Sequence, residues 1–148
     1  MQAQKGHAVM ARTTAEPDPR LIAFSLPSIP ASVPIARFHV RAALAFHGLD
    51  DYADDAAAIT SELVTNAVQH VRRSGAATIE VTLARAWDPA AVTVIVSDSS
   101  PEGPTRGDTP ADGKRGRGLQ VVEALSARWG WNRHDGGKVI FAVLAREA

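Results

Sequence analysis

The chain has 148 residues, no cysteine, 45% hydrophobic residues, and 16 Lys+Arg balanced by 16 Asp+Glu. That length suffices for one domain with its own core, and the missing cysteines exclude thiol nucleophiles, thiolate zinc sites and disulfides. Zero formal net charge argues against a dedicated nucleic-acid binder, which carries a basic excess to neutralise phosphates, and no apolar run reaches the roughly 20 residues that span a bilayer.

Residues 1–20 are polar and carry Lys5, Arg12, Glu16 and Asp18, without the apolar run of a signal peptide. They are expected to form a mobile arm ahead of a domain over 21–148, in a soluble cytoplasmic protein. Ala23–Leu26 is a short β-like run closed by Pro27 and Pro30, and Ser32 is placed to N-cap a helix from Val33 to Phe46 that Gly48 ends. Asp50 or Asp51 then caps a second helix to about His70, in which Ala56, Ile59, Leu63, Ala67 and His70 recur at helical spacing.

Arg72 to Gly75 reads as a turn. Beyond it, Thr78, Glu80 and Thr82 alternate with Ile79, Val81 and Leu83, which predicts a strand with one buried face. After a turn at Asp88-Pro89, the β-branched run Val92 to Val96 predicts a more buried strand that delivers Asp98 to its C-terminal end. The stretch from Ser99 to Arg117 is aperiodic and rich in Pro, Gly and Ser, a long loop of the kind that is functional or disordered. Gly118 is expected to open a third helix, Leu119 to about Ala127. Trp129 with Trp131, and then Val139 to Leu144, read as two antiparallel strands joined at Asp135-Gly-Gly137. Strands beside strands, rather than strands alternating with helices, predict an α/β (α+β) two-layer sandwich: a mixed sheet covered by helices on one face.

Three constellations could carry chemistry. Glu62 and Asn66 stand four residues apart on one helix face, with Asp55 and Gln69 on the same stripe. They are either the solvated edge of an amphipathic helix, or a pair in which Asn supplies a hard oxygen for Mg²⁺ and Glu accepts a proton. Asp98, at a strand end, is either a turn-initiating residue or an acceptor for an adenine amino group. The stretch Gly113-Lys-Arg-Gly-Arg-Gly118 lacks Ser or Thr after Gly-Lys and is no P-loop, and Val121 stands where a dinucleotide fingerprint needs its third glycine. It is a flexible basic loop, or a helix N-terminus with Gly116, Arg117 and Gly118 placed to hold an anion such as a triphosphate. His39, His47 and His70 lack a metal-ligand companion at a convincing spacing and read as structural or surface residues.

In order, Glu62-x-x-x-Asn66, the strand-end Asp98 and Gly116-Arg-Gly118-Leu119 resemble the N-box, G1-box and G2-box of the GHKL (histidine kinase-like ATPase) superfamily. More narrowly, Ser61-Glu-Leu-Val-Thr-Asn-Ala67 and Arg115-Gly-Arg-Gly-Leu119 look like the actinobacterial branch of the anti-sigma-factor serine/threonine kinases, over about Ala23 to Leu144. The resemblance implies a Bergerat-type ATP site: Asn66 on Mg²⁺, Glu62 as general base toward a serine hydroxyl, Asp98 on adenine, and Gly116, Arg117, Gly118 and Leu119 at the phosphates beneath a lid from Ser99 to Arg115. It implies a protein serine kinase whose substrate is a STAS-type anti-anti-sigma factor and whose other partner is a sigma factor. Arg37 becomes a partner contact, and a homodimer is suggested. Two departures point to weakened nucleotide binding and keep a non-catalytic sequestering module as the alternative. Asp98 is followed by Ser99-Ser100-Pro101 where the box commonly has glycines, and Val139 stands where relatives often place an adenine-bonding threonine.

Overall fold

The computed structural model describes residues 18–74, 78–87, 90–99 and 114–146. Along the chain these form β1 (Arg20–Pro27), α1 (Ser32–Phe46), a 3-10 turn (Asp50–Tyr52), α2 (Ala53–Ser74), β2 (Thr78–Trp87), β3 (Ala90–Asp98), α3 (Lys114–Leu125), β4 (Arg128–His134) and β5 (Gly137–Ala145). The expected order is observed, and so is the two-layer α/β arrangement.

The sheet runs β1-β2-β3-β5-β4, and its pairings are antiparallel throughout rather than mixed. Register aligns the apolar residues of neighbouring strands: Val81 faces Val96, which faces Ile140, and Leu83 faces Val94, which faces Ala142. Because side chains alternate across a strand, these residues share one face with Ile79, Val92 and Leu144, all buried. The helices cover that face in the order of the strands beneath them: α1 packs on β1 and α2, α2 on β3, and α3 on α2 and β4. From α2, Ala56, Ile59, Leu63 and Ala67 reach the core as their spacing predicts, and Trp129 and Trp131 close it from the β4 side, half-buried. Among the described residues no helix is long and apolar enough to cross a membrane.

Several boundaries differ from expectation for local reasons. Ser32 does not cap α1; it is the first helical residue, and its buried hydroxyl donates to the Pro27 carbonyl at 2.6 Å, tying α1 to the end of β1. Gly48 does end α1: at φ +71° it lets its own amide and that of Leu49 donate to Ala45 and Leu44, the paired bonds of a Schellman cap. A 3-10 turn precedes α2, and α2 runs through Arg72 to Ser74, which the sequence suggests as a turn. β1 begins at Arg20, where Asp18 accepts from the Arg20 side chain and amide. The side-chain bond, more than the backbone one, holds the Asp18 carboxyl below its ordinary value.

Candidate functional site

Asp98 and Lys138 are opposite one another where β3 ends and β5 begins. Counting by twos from Val94 and Val96, and back from Ala142 and Ile140, places both on the helix-covered face. The Lys138 ammonium lies 2.9 Å from Asp98 Oδ2 and donates to Oδ1 at 3.1 Å. The two side chains are 0% and 2% exposed, respectively. A lysine is almost never this buried unless paired, and taking two charges out of water is repaid only by close, well-satisfied geometry.

The hairpin before Lys138 explains how the two meet. Asp135 and Gly136, at φ +50° and +79°, form a two-residue turn between His134 and Gly137, the conformation that Asp-Gly favours. Gly137 is already in the strand, and a Cβ there would run into the Asp98 carbonyl, so glycine lets the β5 backbone lie directly against Asp98 and Ser99. The sequence therefore signals the turn correctly, while the second glycine serves a close approach.

Helix α2 brings the other half of the site. Ser74 ends it and β2 starts at Thr78, while Glu80 of β2 pairs with Ser97, so the C-terminal half of α2 adjoins the sheet end that carries Asp98. Asn66 and Glu62 are half-buried on this helix, one turn and about 6 Å of rise apart. Asn66 Oδ1 is fully buried and accepts no hydrogen bond. Buried acceptors are normally satisfied, and leaving one unmade costs about 1–3 kcal/mol. Asp55 and Gln69 on the same stripe are exposed.

The orphaned Asn66 oxygen is the observation that tests the fit of Mg²⁺. A hard neutral oxygen with a carboxylate one turn away suits a cation that takes one or two protein ligands and completes its shell with phosphate and water. The residues therefore fit, and Asn66 would be the ligand.

The third element is displaced from its expected place. α3 begins at Lys114, not at Gly118, so the backbone of Gly116, Arg117 and Gly118 is part of its first turns rather than of a preceding loop. Leu119 follows, buried at 2% exposure. The orphan amides of a helix N-terminus are then those from Lys114 onward, with Gly116 and Arg117 among them and Gly118 beyond. Residues 100–113, most of the expected lid, lie outside the described residues, as do the side chains of 114–118 and of His70.

Two further expectations are settled by alternation and packing. Val139 alternates to the face away from the helices, opposite Ser97, and a cavity of about 240 Å³ at this end of the sheet is lined by Asp98 and Lys138 together with Glu80, Ser97, Asp135 and Val139. Val139 and Lys138 thus border one cavity, and Lys138 is the β5 residue that faces Asp98. His39 lies with its ring centroid 5.0 Å from Phe24 and 5.8 Å from Phe38, a packing residue as expected. Arg37 is exposed on α1 between exposed Ile35 and Phe38, the latter 67% accessible.

Lys138 is the one site residue that sequence reasoning missed. Its signal was present: continuing the inward series Leu144, Ala142, Ile140 back by two puts a lysine among apolar positions. Seen only as the residue after a Gly-Gly turn, it reads as solvent-exposed.

None of the curated proteins matches this chain. Among solved structures, it resembles the RsbU and RsbW domains of Rv1364c from Mycobacterium tuberculosis, with 25% identity, a TM-score of 0.64, and coverage of 89% of this chain and 34% of that one. The chain thus spans about a third of that protein's length. It also resembles a structure of the SiaB-SiaC complex from Pseudomonas aeruginosa, at 15% identity and a TM-score of 0.60, covering 95% of this chain and 97% of that one, a likeness of fold. The histidine kinase-like ATPase domain family matches residues 26–144, which takes in every described element from the end of β1 to the end of β5. With the family match spanning most of the chain and the helix-on-sheet fold in agreement, the chain belongs to the histidine kinase-like ATPase domain family.

Proposed function

We propose that the domain is an ATP-dependent regulator of the anti-sigma type, which phosphorylates a serine of a STAS-type anti-anti-sigma factor and sequesters a sigma factor in the cytoplasm. The observation that carries the reading is Asn66 Oδ1, a buried oxygen without a donor, one helical turn from Glu62 in an ATPase-family fold. When bound, Mg-ATP supplies the transferable phosphoryl group. Asn66 holds the metal through Oδ1, and Glu62 accepts the proton of the attacking serine hydroxyl at its carboxylate. Amides in the first turn of α3, with Gly116 and Arg117 among them, bind phosphate through the helix N-terminus. On α1, Arg37 with the exposed Ile35 and Phe38 offers a charged and apolar contact for a partner protein. The likeness to RsbW domains supports the regulatory class.

Calorimetry with Mg-ATP, using Asn66→Ala as control, tests the nucleotide step. Transfer of labelled phosphate to a STAS protein, with Glu62→Gln as control, tests the kinase step. Binding that is indifferent to Asn66→Ala removes the metal role, and full-rate transfer by Glu62→Gln removes the base role.

One observation favours a second reading, a module that sequesters its partner without phosphorylating it. Both Asp98 oxygens are already within hydrogen-bond reach of Lys138, so adenine meets an acceptor that an internal cation has engaged. This reading expects a stable partner complex with neither ATP binding nor turnover.

A further inference from the structure

Lys138 has no ready explanation as a stabilising residue. It occupies an inward position of β5 in series with Ile140, Ala142 and Leu144, where an apolar side chain would fill the space without desolvating a charge. Replacing a buried ion pair by well-packed apolar residues is often neutral or stabilising. The pair also stands at the last residue of β3, where both residues line the cavity of about 240 Å³ at the sheet end.

Chemically, the pair is a donor beside an acceptor. A carboxylate only accepts hydrogen bonds and an ammonium only donates them, and here the two are held 2.9 Å apart with little freedom. The Watson–Crick edge of adenine is the complement: the exocyclic N6 amino group donates, and the adjacent ring nitrogen N1 accepts. Guanine reverses the ring position, since its N1 carries a hydrogen and would confront the ammonium with a second donor. Val139 lines the same cavity, but its side chain has no polar atom to offer the base.

Resting on the nucleotide-binding reading above, we propose that Lys138 is a base-reading residue that determines specificity. Its ammonium donates to N1 of adenine while Asp98 accepts from N6, and the buried ion pair thereby selects adenine over guanine. Such a bond, made by a charged donor out of water, is among the stronger single contacts.

The test uses the whole chain and measures binding of ATP, 1-deaza-ATP and GTP with Mg²⁺ by calorimetry. 1-Deaza-ATP keeps the N6 amino group and loses only the N1 acceptor. The expected result is about tenfold or greater loss for 1-deaza-ATP and for GTP relative to ATP. Lys138→Met should bind ATP and 1-deaza-ATP equally, and Lys138→Gln, which keeps a donor, should retain part of the difference. If Lys138→Met does not fold, the comparison in the wild-type chain decides. ATP and 1-deaza-ATP binding alike in the wild type overturns the assignment while leaving nucleotide binding intact. Tighter ATP binding by Lys138→Met also overturns it, since the lysine would then be a plug. A wild-type chain that binds no purine nucleotide overturns the proposed function and this inference with it.

Discussion

The two halves of the site are built on different physics. On α2, Glu62 and Asn66 owe their juxtaposition to one helical turn, and neither needs another element to be brought beside the other. At the sheet end, Asp98 and Lys138 are 40 residues apart and meet only because β3 and β5 pair in one register, which the turn at Asp135-Gly136 and the missing side chain of Gly137 set. The helical half buries an unmet acceptor, whereas in the sheet half the acceptor and donor meet each other. A site assembled this way should be robust in its helical half and brittle in its sheet half.

The comparison breaks first at the ion pair. Asp98→Ala takes the carboxylate away from a buried ammonium and should cost about 3–5 kcal/mol in denaturant unfolding; Asp98→Leu with Lys138→Met should recover most of that loss in a double-mutant cycle. A loss below about 1 kcal/mol for Asp98→Ala would mean that water reaches the pair and that the sheet half is not brittle. Next in size, Gly137→Ala forces the β5 backbone away from Asp98 and Ser99 and should cost about 1–3 kcal/mol, with the largest changes in amide exchange at the His134–Lys138 hairpin.

The helical half should respond in the opposite direction. Asn66→Leu removes an acceptor that is buried and unpaired, so stability should stay level or rise by about 1 kcal/mol while Mg-ATP binding is lost. A marked loss of stability would show that the amide is satisfied in the free protein. The smallest effect on folding is expected for Glu62→Gln, within about 0.5 kcal/mol of wild type, although phosphate transfer should fall by roughly 10²–10⁴-fold. Melting curves beside transfer assays on the same samples separate the two.

Legibility followed the same division. Core residues of α2 and the strands could be read from periods of 3.6 and 2, and Gly48 from its role at a helix end, because these signals are local. Ser32 has the sequence of a cap, but its hydroxyl has a tertiary partner, the Pro27 carbonyl, which competes with the capping bond. Gly116 and Gly118 suggest a loop and a later start for α3, yet the helix runs through both, where packing against α2 and β4 overrides glycine's poor intrinsic propensity.

By itself, the sequence determined the element order, the buried stripes, the turn between the last two strands and the Glu62-Asn66 pair, since each depends on neighbours within a few residues. Tertiary structure alone decided that Asp98 is paired to Lys138, that Asn66 Oδ1 is buried without a donor, and that Val139 looks away from the helices. Each of these depends on strand register or on burial beneath another element, quantities that no local spacing encodes.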